Sequence, residues 1–286
     1  MADATWEAQL EELSRPCRRP DDSAYRSLAA SAIAELVRRS GQPGYRVEAA
    51  ALQRGVLPER YARNTQALSL AEQKRLLDAC VCIVGVGGLG GTLTEILARI
   101  GVGRLRLVDG DVFEESNLNR QRFAHSGNLG RSKVSEARQA VAAINPSIAV
   151  AVFGTRLAAS NAPELIGEAD VVIDCLDRLD TRLILQAACH QTGRPLVSGA
   201  VAGSAGQLTV ILPGDAGWEA LLGDGADRAP RGVETRLGNL PYAVNLLASL
   251  EAAEAVKLIL GRGGLLRNRL LVFDLQAPVF DIVALA

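Results

Sequence analysis

Apolar positions along this chain follow two rhythms. Short, mostly apolar runs have the length of buried strands: "ACVCIVGVG" from Ala79, "RLRLVD" (104–109), "IAVAVF" (148–153), "DVVIDC" (170–175) and "PLVSGAV" (195–201). Between most of them lie segments with apolar residues at helical spacing: "GLGGTLTEILARIG", "GRSKVSEARQAVAAI" and "RLDTRLILQAACHQTG". Strands apolar on both faces, alternating with helices, predict a parallel sheet covered on both sides. The rhythm then changes. "GQLTVILP" (206–213) reads as a strand and "PYAVNLLASLEAAEAVKLILG" as a long helix, while "RLLVFDLQAPVFDIVAL" reads as two strands with no helix between them. The later part of the sheet is therefore expected to be antiparallel or mixed.

Ahead of this core, residues 1–57 read as a helical extension, and residues 58–286 as the main domain. "DDSAYRSLAASAIAELVRRSG" has a Ser/Asp start, apolar residues at helical spacing, a basic last turn and a closing Gly41. "PGYRVEAAALQRG" predicts a second helix ending near Gly55. Between Pro213 and Leu240 the chain is rich in Gly, Asp and Arg, which predicts a mobile surface loop facing substrate.

Composition narrows the class. The chain has 286 residues, of which 48% are hydrophobic and 22% charged, in the range of globular proteins. A formal net charge of -1 supplies no global field for nucleic acid or an acidic membrane. The first residues lack a basic region followed by an apolar run, and the most apolar helical stretch is broken by Glu251, Glu254 and Lys257. The five cysteines form no C-x-x-C pair. A cytoplasmic protein with reduced, mostly buried thiols is the expectation.

The chemistry starts at "VGVGGLGG". Gly85, Gly87 and Gly90 satisfy G-x-G-x-x-G between a strand and a helix, with Gly88 inside the turn. Such a turn lets the backbone approach a phosphate, and the helix N-terminus supplies N–H groups and a favourable dipole. Asp109 closes the next strand, where a carboxylate can take ribose hydroxyls. These residues alone fit a dinucleotide or a mononucleotide, with an NAD-type site as the default. The polar segment 109–137 shifts the balance. It brings Asn117, Asn119, Arg120, Gln121 and Lys133 close behind the acid. Hydride transfer has little need of such donors beside the ribose, whereas a leaving pyrophosphate needs its charge neutralised. Each of Arg120, Arg122 and Lys133, taken singly, also fits a solvated surface.

Several ordered motifs resemble the ThiF/MoeB/HesA family, related to ubiquitin-activating enzymes: "GVGGLG", "DGDVFEESNLNRQ", "GRSKVSEARQAVAAINP", "VVIDCLDRLDTR" and "PLVSGAVAGSAGQLTV". The entry segment "RYARNTQALSLAEQKRLLDACVCIVG" and the late helix "GNLPYAVNLLASLEAAEAVKLILG" are similar too, so the likeness runs from about residue 59 to 284. The resemblance implies a Rossmann-like α/β nucleotide-binding fold with a mixed sheet. It implies an adenylyltransferase that uses ATP and Mg²⁺ to activate the C-terminal carboxylate of a small ubiquitin-like or sulfur-carrier protein ending in Gly-Gly. By position, Gly85, Gly87, Gly88 and Gly90 would line the nucleotide, Asp109 would take the ribose, and Asp111 would be mainly its structural partner. Asn117, Arg120, Gln121 and Lys133 would surround the phosphates. Asp177 would meet the magnesium, its alternative role being a helix cap. Arg63 would reach the phosphates of a neighbouring protomer, implying a homodimer; its alternative is an ordinary surface arginine.

The sequence departs from that pattern in three places. It lacks the two C-x-x-C pairs that hold zinc in many relatives, and no cysteine follows Cys189, so no structural zinc is expected. The segment 213–240 has no thiol for a carrier thioester, so adenylation without a covalent intermediate at that loop is expected. The extension before residue 58 is also unlike the family. His125 reads as a surface residue and His190 as a helix C-terminal one. Two rival functions remain at this point: an NAD-dependent oxidoreductase, and an ATP-binding relative without catalysis. A family dehydratase acting on modified tRNA gets little support from the neutral charge.

Overall fold

The computed structural model describes residues 3–218 and 234–285, and the chain divides into two compact units. The first comprises residues 1–79 with 97–104 and 141–149; the second comprises 80–96, 105–140 and 150–286. No described helix is long and apolar enough to cross a membrane.

In the first unit, α1 (Asp3–Glu12) precedes a hairpin of β1 (Arg15–Arg18) and β2 (Ala24–Leu28). Then come α2 (Ala30–Ser40), α3 (Gly44–Gln53), β3 (Val56–Pro58) and α4 (Leu70–Asp78). β1 pairs antiparallel with β2, and β2 pairs parallel with β3. The extension is therefore not purely helical. "SAYRS", expected to open a helix, lies largely in β2, because its Arg26 bonds back to Ser14 and the Glu11 carbonyl and fixes an extended chain. α2 ends where expected, with Gly41 at φ 67° accepting the left-handed conformation that stops a helix. Ser69 and Glu72 form a reciprocal capping box that starts α4. Leu10, Leu28, Leu36, Val47 and Ala51 are almost fully buried together.

In the second unit, β4 (Cys80–Val84), β5 (Arg104–Val108), β6 (Ala149–Phe153), β7 (Val171–Asp174), β8 (Leu196–Ala202), β9 (Ala205–Ile211), β10 (Arg269–Asp274) and β11 (Val279–Ala284) form one sheet. Its order is β11-β10-β9-β8-β7-β4-β5-β6. The accompanying helices are α5 (Gly88–Ile100), α6 (Lys133–Ile144), α7 (Ala162–Ile166), α8 (Leu179–Thr192) and α9 (Pro241–Leu260). The pairs β4–β7 and β7–β8 are parallel, whereas β8–β9, β9–β10 and β10–β11 are antiparallel. The mixed sheet expected from the change of rhythm is thus present. β4 and β7 are buried at every position, which explains why both read as unbroken apolar runs. Each fully buried Val or Ile there contributes roughly 1.5–3 kcal/mol.

The strand order reverses beside β4. The chain passes from β4 to β5 and β6 on one side, and β7 lies on the other. In a doubly wound sheet, ligands bind outside the carboxyl ends of the strands at such a switch point. Part of the 213–240 segment, residues 219–233, lies outside the described residues, so the expectation of a mobile loop is not addressed there.

Candidate functional site

Two loops meet at the switch point, one leaving β4 and one leaving β7. Val84 and Asp174 are partners in register, so Gly85 and Cys175 follow side by side. Gly85 has φ 92°, and a Cβ there would lie 2.6 Å from the Cys175 carbonyl oxygen. Gly90 is even more constrained, since its Cβ would sit 1.8 Å from the Gly85 carbonyl oxygen. Both positions require glycine for the loop to close. Gly87 has space by comparison: its Cβ would meet Gln121 Nε2 at 3.5 Å. Gly88 opens α5.

The acid at the end of β5 organises this turn. Asp109 Oδ2 accepts the Val86 N–H at 2.7 Å, and Oδ1 accepts the Asp111 N–H at 2.8 Å. Burial pushes the Asp109 carboxyl above its usual range, against the opposing pull of Lys133 and these two N–H groups. Lys133, the first residue of α6, is buried, and its ammonium is 3.5 Å from Asp111. Asp111 also accepts from Arg156 at 3.1 Å, a residue absent from the sequence-based set. Asp111 therefore acts as the expected structural partner, tying the polar segment to α6 through both its carboxylate and its carbonyl, which accepts the Lys133 N–H.

The segment 109–137 forms no strand, only an isolated bridge from Val112 to Ser132 and short helical turns before α6 begins at Lys133. Asn117 is buried and accepts the Glu114 N–H at 3.1 Å, which shapes the turn carrying Arg120 and Gln121. Arg120 is half-buried and donates to Ser116 O and Asn119 Oδ1. Gln121 is 7% exposed, and its Oε1 is buried without a hydrogen-bond partner. A buried, unpaired acceptor carries a desolvation cost that a ligand donor or a water can relieve. Gln121 lies against Gly87, so this unmet group belongs to the glycine turn.

Asp177 sits on the β7–α8 turn. α8 starts at Leu179 with Arg178 in the cap position, so the helix-cap alternative for Asp177 is not what the chain adopts. Its carboxylate is exposed and has no hydrogen bond among the described residues. Asp180 is paired with Arg178 instead. Among the described residues no group of three or more His, Cys, Asp and Glu side chains is arranged for a metal. A single free carboxylate suits Mg²⁺, which keeps its waters and binds through one or two carboxylates together with substrate phosphates.

Arg63 lies in the first unit, exposed on the turn after Tyr61. The thiols offer no ready nucleophile near the turn. Cys80, Cys82 and Cys189 are buried, and burial pushes the Cys82 thiol up to about 12. Cys175 is raised too, by burial and by Glu251 and Asp174. His125 is exposed, its Nδ1 accepting the Gly127 N–H, and His190 lies in the last turn of α8 as expected. Asp174, Arg182, Ser198 and Trp218 escaped the sequence reading. They converge behind the Asp177 turn from separate elements, and only the sheet register brings them together.

Comparison with known proteins agrees with this geometry. The ThiF family pattern matches residues 61–285. The chain is 38% identical over 217 residues to the SAMP-activating enzyme E1 of Haloferax volcanii, covering 74% of this chain and 78% of that one. It is 36% identical over 210 residues to the molybdopterin-synthase adenylyltransferase of Escherichia coli, covering 73% and 84%. Relatives named adenylyltransferase and sulfurtransferase are longer, and the chain spans about half of their length. Among solved structures, the microcin C7 biosynthetic enzyme MccB in complex with N-formylated MccA is similar in fold, with a TM-score of 0.70 and 20% identity over 89% of this chain and 83% of that one. A glycine turn at a switch point, a carboxylate holding it and a family match across most of the chain lead to one conclusion: this chain belongs to the ThiF family, and its named relatives are adenylyltransferases.

Proposed function

We propose that this protein adenylates the C-terminal carboxylate of a small sulfur-carrier or ubiquitin-like protein ending in Gly-Gly, using ATP and Mg²⁺. The observation that supports this most is the meeting of two loops. Gly85 against the Cys175 carbonyl brings the Asp177 turn beside the glycine turn, while Asp109 and Lys133 flank it.

The chemistry asks little of a general base, because the substrate carboxylate is already ionised. One of its oxygens bonds to the α-phosphorus of ATP, the bond from that phosphorus to the bridging oxygen breaks, and pyrophosphate leaves with the electron pair. Alignment and charge stabilisation carry such a step. In this reading the 85–90 turn and the start of α5 hold phosphate, Asp109 the ribose, and Asn117, Arg120, Gln121 and Lys133 the phosphate oxygens. Asp177 would hold Mg²⁺, which neutralises charge on the leaving pyrophosphate. Arg63 is assigned to the phosphates of a second protomer in a homodimer. With no cysteine after Cys189, the acyl adenylate leaves without a thioester at the 213–240 loop.

The test is ATP–pyrophosphate exchange in the presence of carriers ending in Gly-Gly. Exchange is expected with at least one carrier, and its loss in Asp177→Ala and Arg120→Ala. Unchanged exchange in both variants overturns the site assignment.

One observation favours a second reading, with a peptide as substrate. The likeness to MccB, solved in complex with N-formylated MccA, covers 89% of this chain, a longer stretch than the residues 61–285 of the family match. Exchange supported by short peptides and not by folded carriers would select it.

A further inference from the structure

The turn that carries Asp177 is fixed from behind by a buried polar network. Asp174, the last residue of β7, is fully buried. Its Oδ1 accepts the Leu176 N–H at 3.0 Å, and its Oδ2 accepts from Arg182 Nη1 at 3.0 Å and from Ser198 Oγ at 2.5 Å. Arg182, in the first turn of α8, is 7% exposed. It also donates to the Gly199 carbonyl at 2.7 Å and to the Leu176 carbonyl. Both backbone polar groups of Leu176 are thus held, one by Asp174 and one by Arg182, a single residue before Asp177.

The network continues to Trp218. The indole Nε1 donates to Ser198 Oγ at 2.8 Å, and the Arg182 guanidinium lies 5.7 Å from the ring centroid. The Trp218 N–H donates to Gln186 Oε1 at 2.9 Å. A buried ion pair is poor evidence for stability, since an apolar replacement of like size often does as well. What this pair supplies is geometry: the planar fork of Arg182 reaches three acceptors from two nitrogens held in one plane, whereas a lysine offers a single nitrogen on a flexible stem.

We propose that Arg182 is a positioning residue for the metal-binding turn, and that Ser198 and Trp218 lock it in place so that the Trp218 indole senses the state of that turn. The role given to the turn rests on the adenylation reading; the mechanical link does not.

Three measurements on the full chain separate these. The first is amide hydrogen exchange in Arg182→Lys and in the milder Ser198→Ala. Exchange at Leu176 and Asp177 is expected to rise about tenfold or more relative to the β4 amides, as a local opening would produce. Unchanged exchange at Leu176 in both variants overturns the proposal, whatever the protein binds. The second is ATP affinity with Mg²⁺ and with EDTA. Arg182→Lys is expected to weaken Mg²⁺–ATP binding by about tenfold and ATP binding in EDTA by less than about twofold, because only the metal route runs through Asp177. Equal weakening in both conditions identifies a merely structural arginine and overturns the positioning role. With Trp6→Phe leaving Trp218 as the sole indole, Mg²⁺–ATP should shift the emission and Ser198→Ala should abolish that shift; an emission unmoved by Mg²⁺–ATP in a chain that binds it overturns the role of Trp218. A wild-type chain that binds no ATP refutes the adenylation reading, and the exchange data still decide the link.

Discussion

Asp109 Oδ2 accepts the N–H of Val86 at 2.7 Å, so the acid at the end of β5 holds the glycine turn at the end of β4. The same carboxylate takes the Asp111 N–H with its other oxygen. One side chain therefore sets two adjacent loops. In Asp109→Asn one of the two acceptors becomes an amide NH₂ facing an N–H. Stability is expected to fall by about 1.5–3 kcal/mol, the range for a hydrogen bond to a charged group. Urea denaturation measures it, and calorimetric titration should show weaker ATP binding in the folded variant.

The glycines of the turn divide by the space around them. Gly90→Ala places a methyl 1.8 Å from the Gly85 carbonyl oxygen, where backbone must move, and a loss of about 3 kcal/mol or more is expected. Gly87→Ala makes only ordinary contact with Gln121, so the protein should fold within about 1 kcal/mol of wild type. Its defect should be in nucleotide binding, because the new methyl stands beside the unpaired Gln121 oxygen. Thermal denaturation of both, with titration of Gly87→Ala, checks the split.

Lys133 brings a buried positive charge between Asp109 and Asp111. It pairs with Asp111, whose carboxylate is half exposed. Lys133→Met preserves the stem but leaves Asp109 and Asp111 without their buried cation, so the fold should lose about 1–3 kcal/mol. ATP affinity should drop by about tenfold or more, the scale of a charge-assisted contact. Calorimetry against denaturant midpoints separates the two effects.

Glu251 makes stability depend on pH. It lies on α9, wholly buried against Gly199, whose Cβ would be 2.5 Å from Oε1, and its only polar neighbour of the right kind among the described residues is the Gly199 backbone. Burial, with Asp174 adding repulsion and Arg182 partly offsetting it, raises its pKa well above the usual carboxylate value. A raised folded pKa means that its contribution is greatest below the ordinary carboxylate range. That contribution is lost as pH rises toward the folded value, by up to about 1.4 kcal/mol per pH unit. Glu251→Gln removes this slope. The variant should gain on wild type between pH 5 and pH 8 in urea denaturation; parallel curves would refute a protonated Glu251.

Much of the second unit was legible because its strands are buried on both faces and its helices carry clear turn signals. "CVCIV" and "VVID" could be little else, whereas the switch point beside them is visible only in the sheet order. The polar segment stood out in the sequence because Asn117, Arg120, Gln121 and Lys133 follow Asp109 in a stretch too polar for a core strand, and the fold buries three of them. The first unit was less legible. β1 reads "RPCR", with no alternation of apolar and polar residues, and β2 is short enough to pass for the start of α2. The Asp174–Arg182–Ser198–Trp218 network was hidden for another reason. Its members come from β7, α8, β8 and the chain after β9, and nothing in spacing announces that they meet. Asp174 in particular reads as the last residue of an apolar strand, and only the fold reveals its buried partners.

The central claim is that the glycine turn serves ATP and not a dinucleotide. Calorimetric titration of the full chain with ATP and with NAD, both in Mg²⁺, tests it most directly. Saturable ATP binding that weakens in Lys133→Met and Asp177→Ala is expected, with no measurable NAD binding at the same concentrations. Tighter binding of NAD than of ATP, insensitive to those two substitutions, would contradict it.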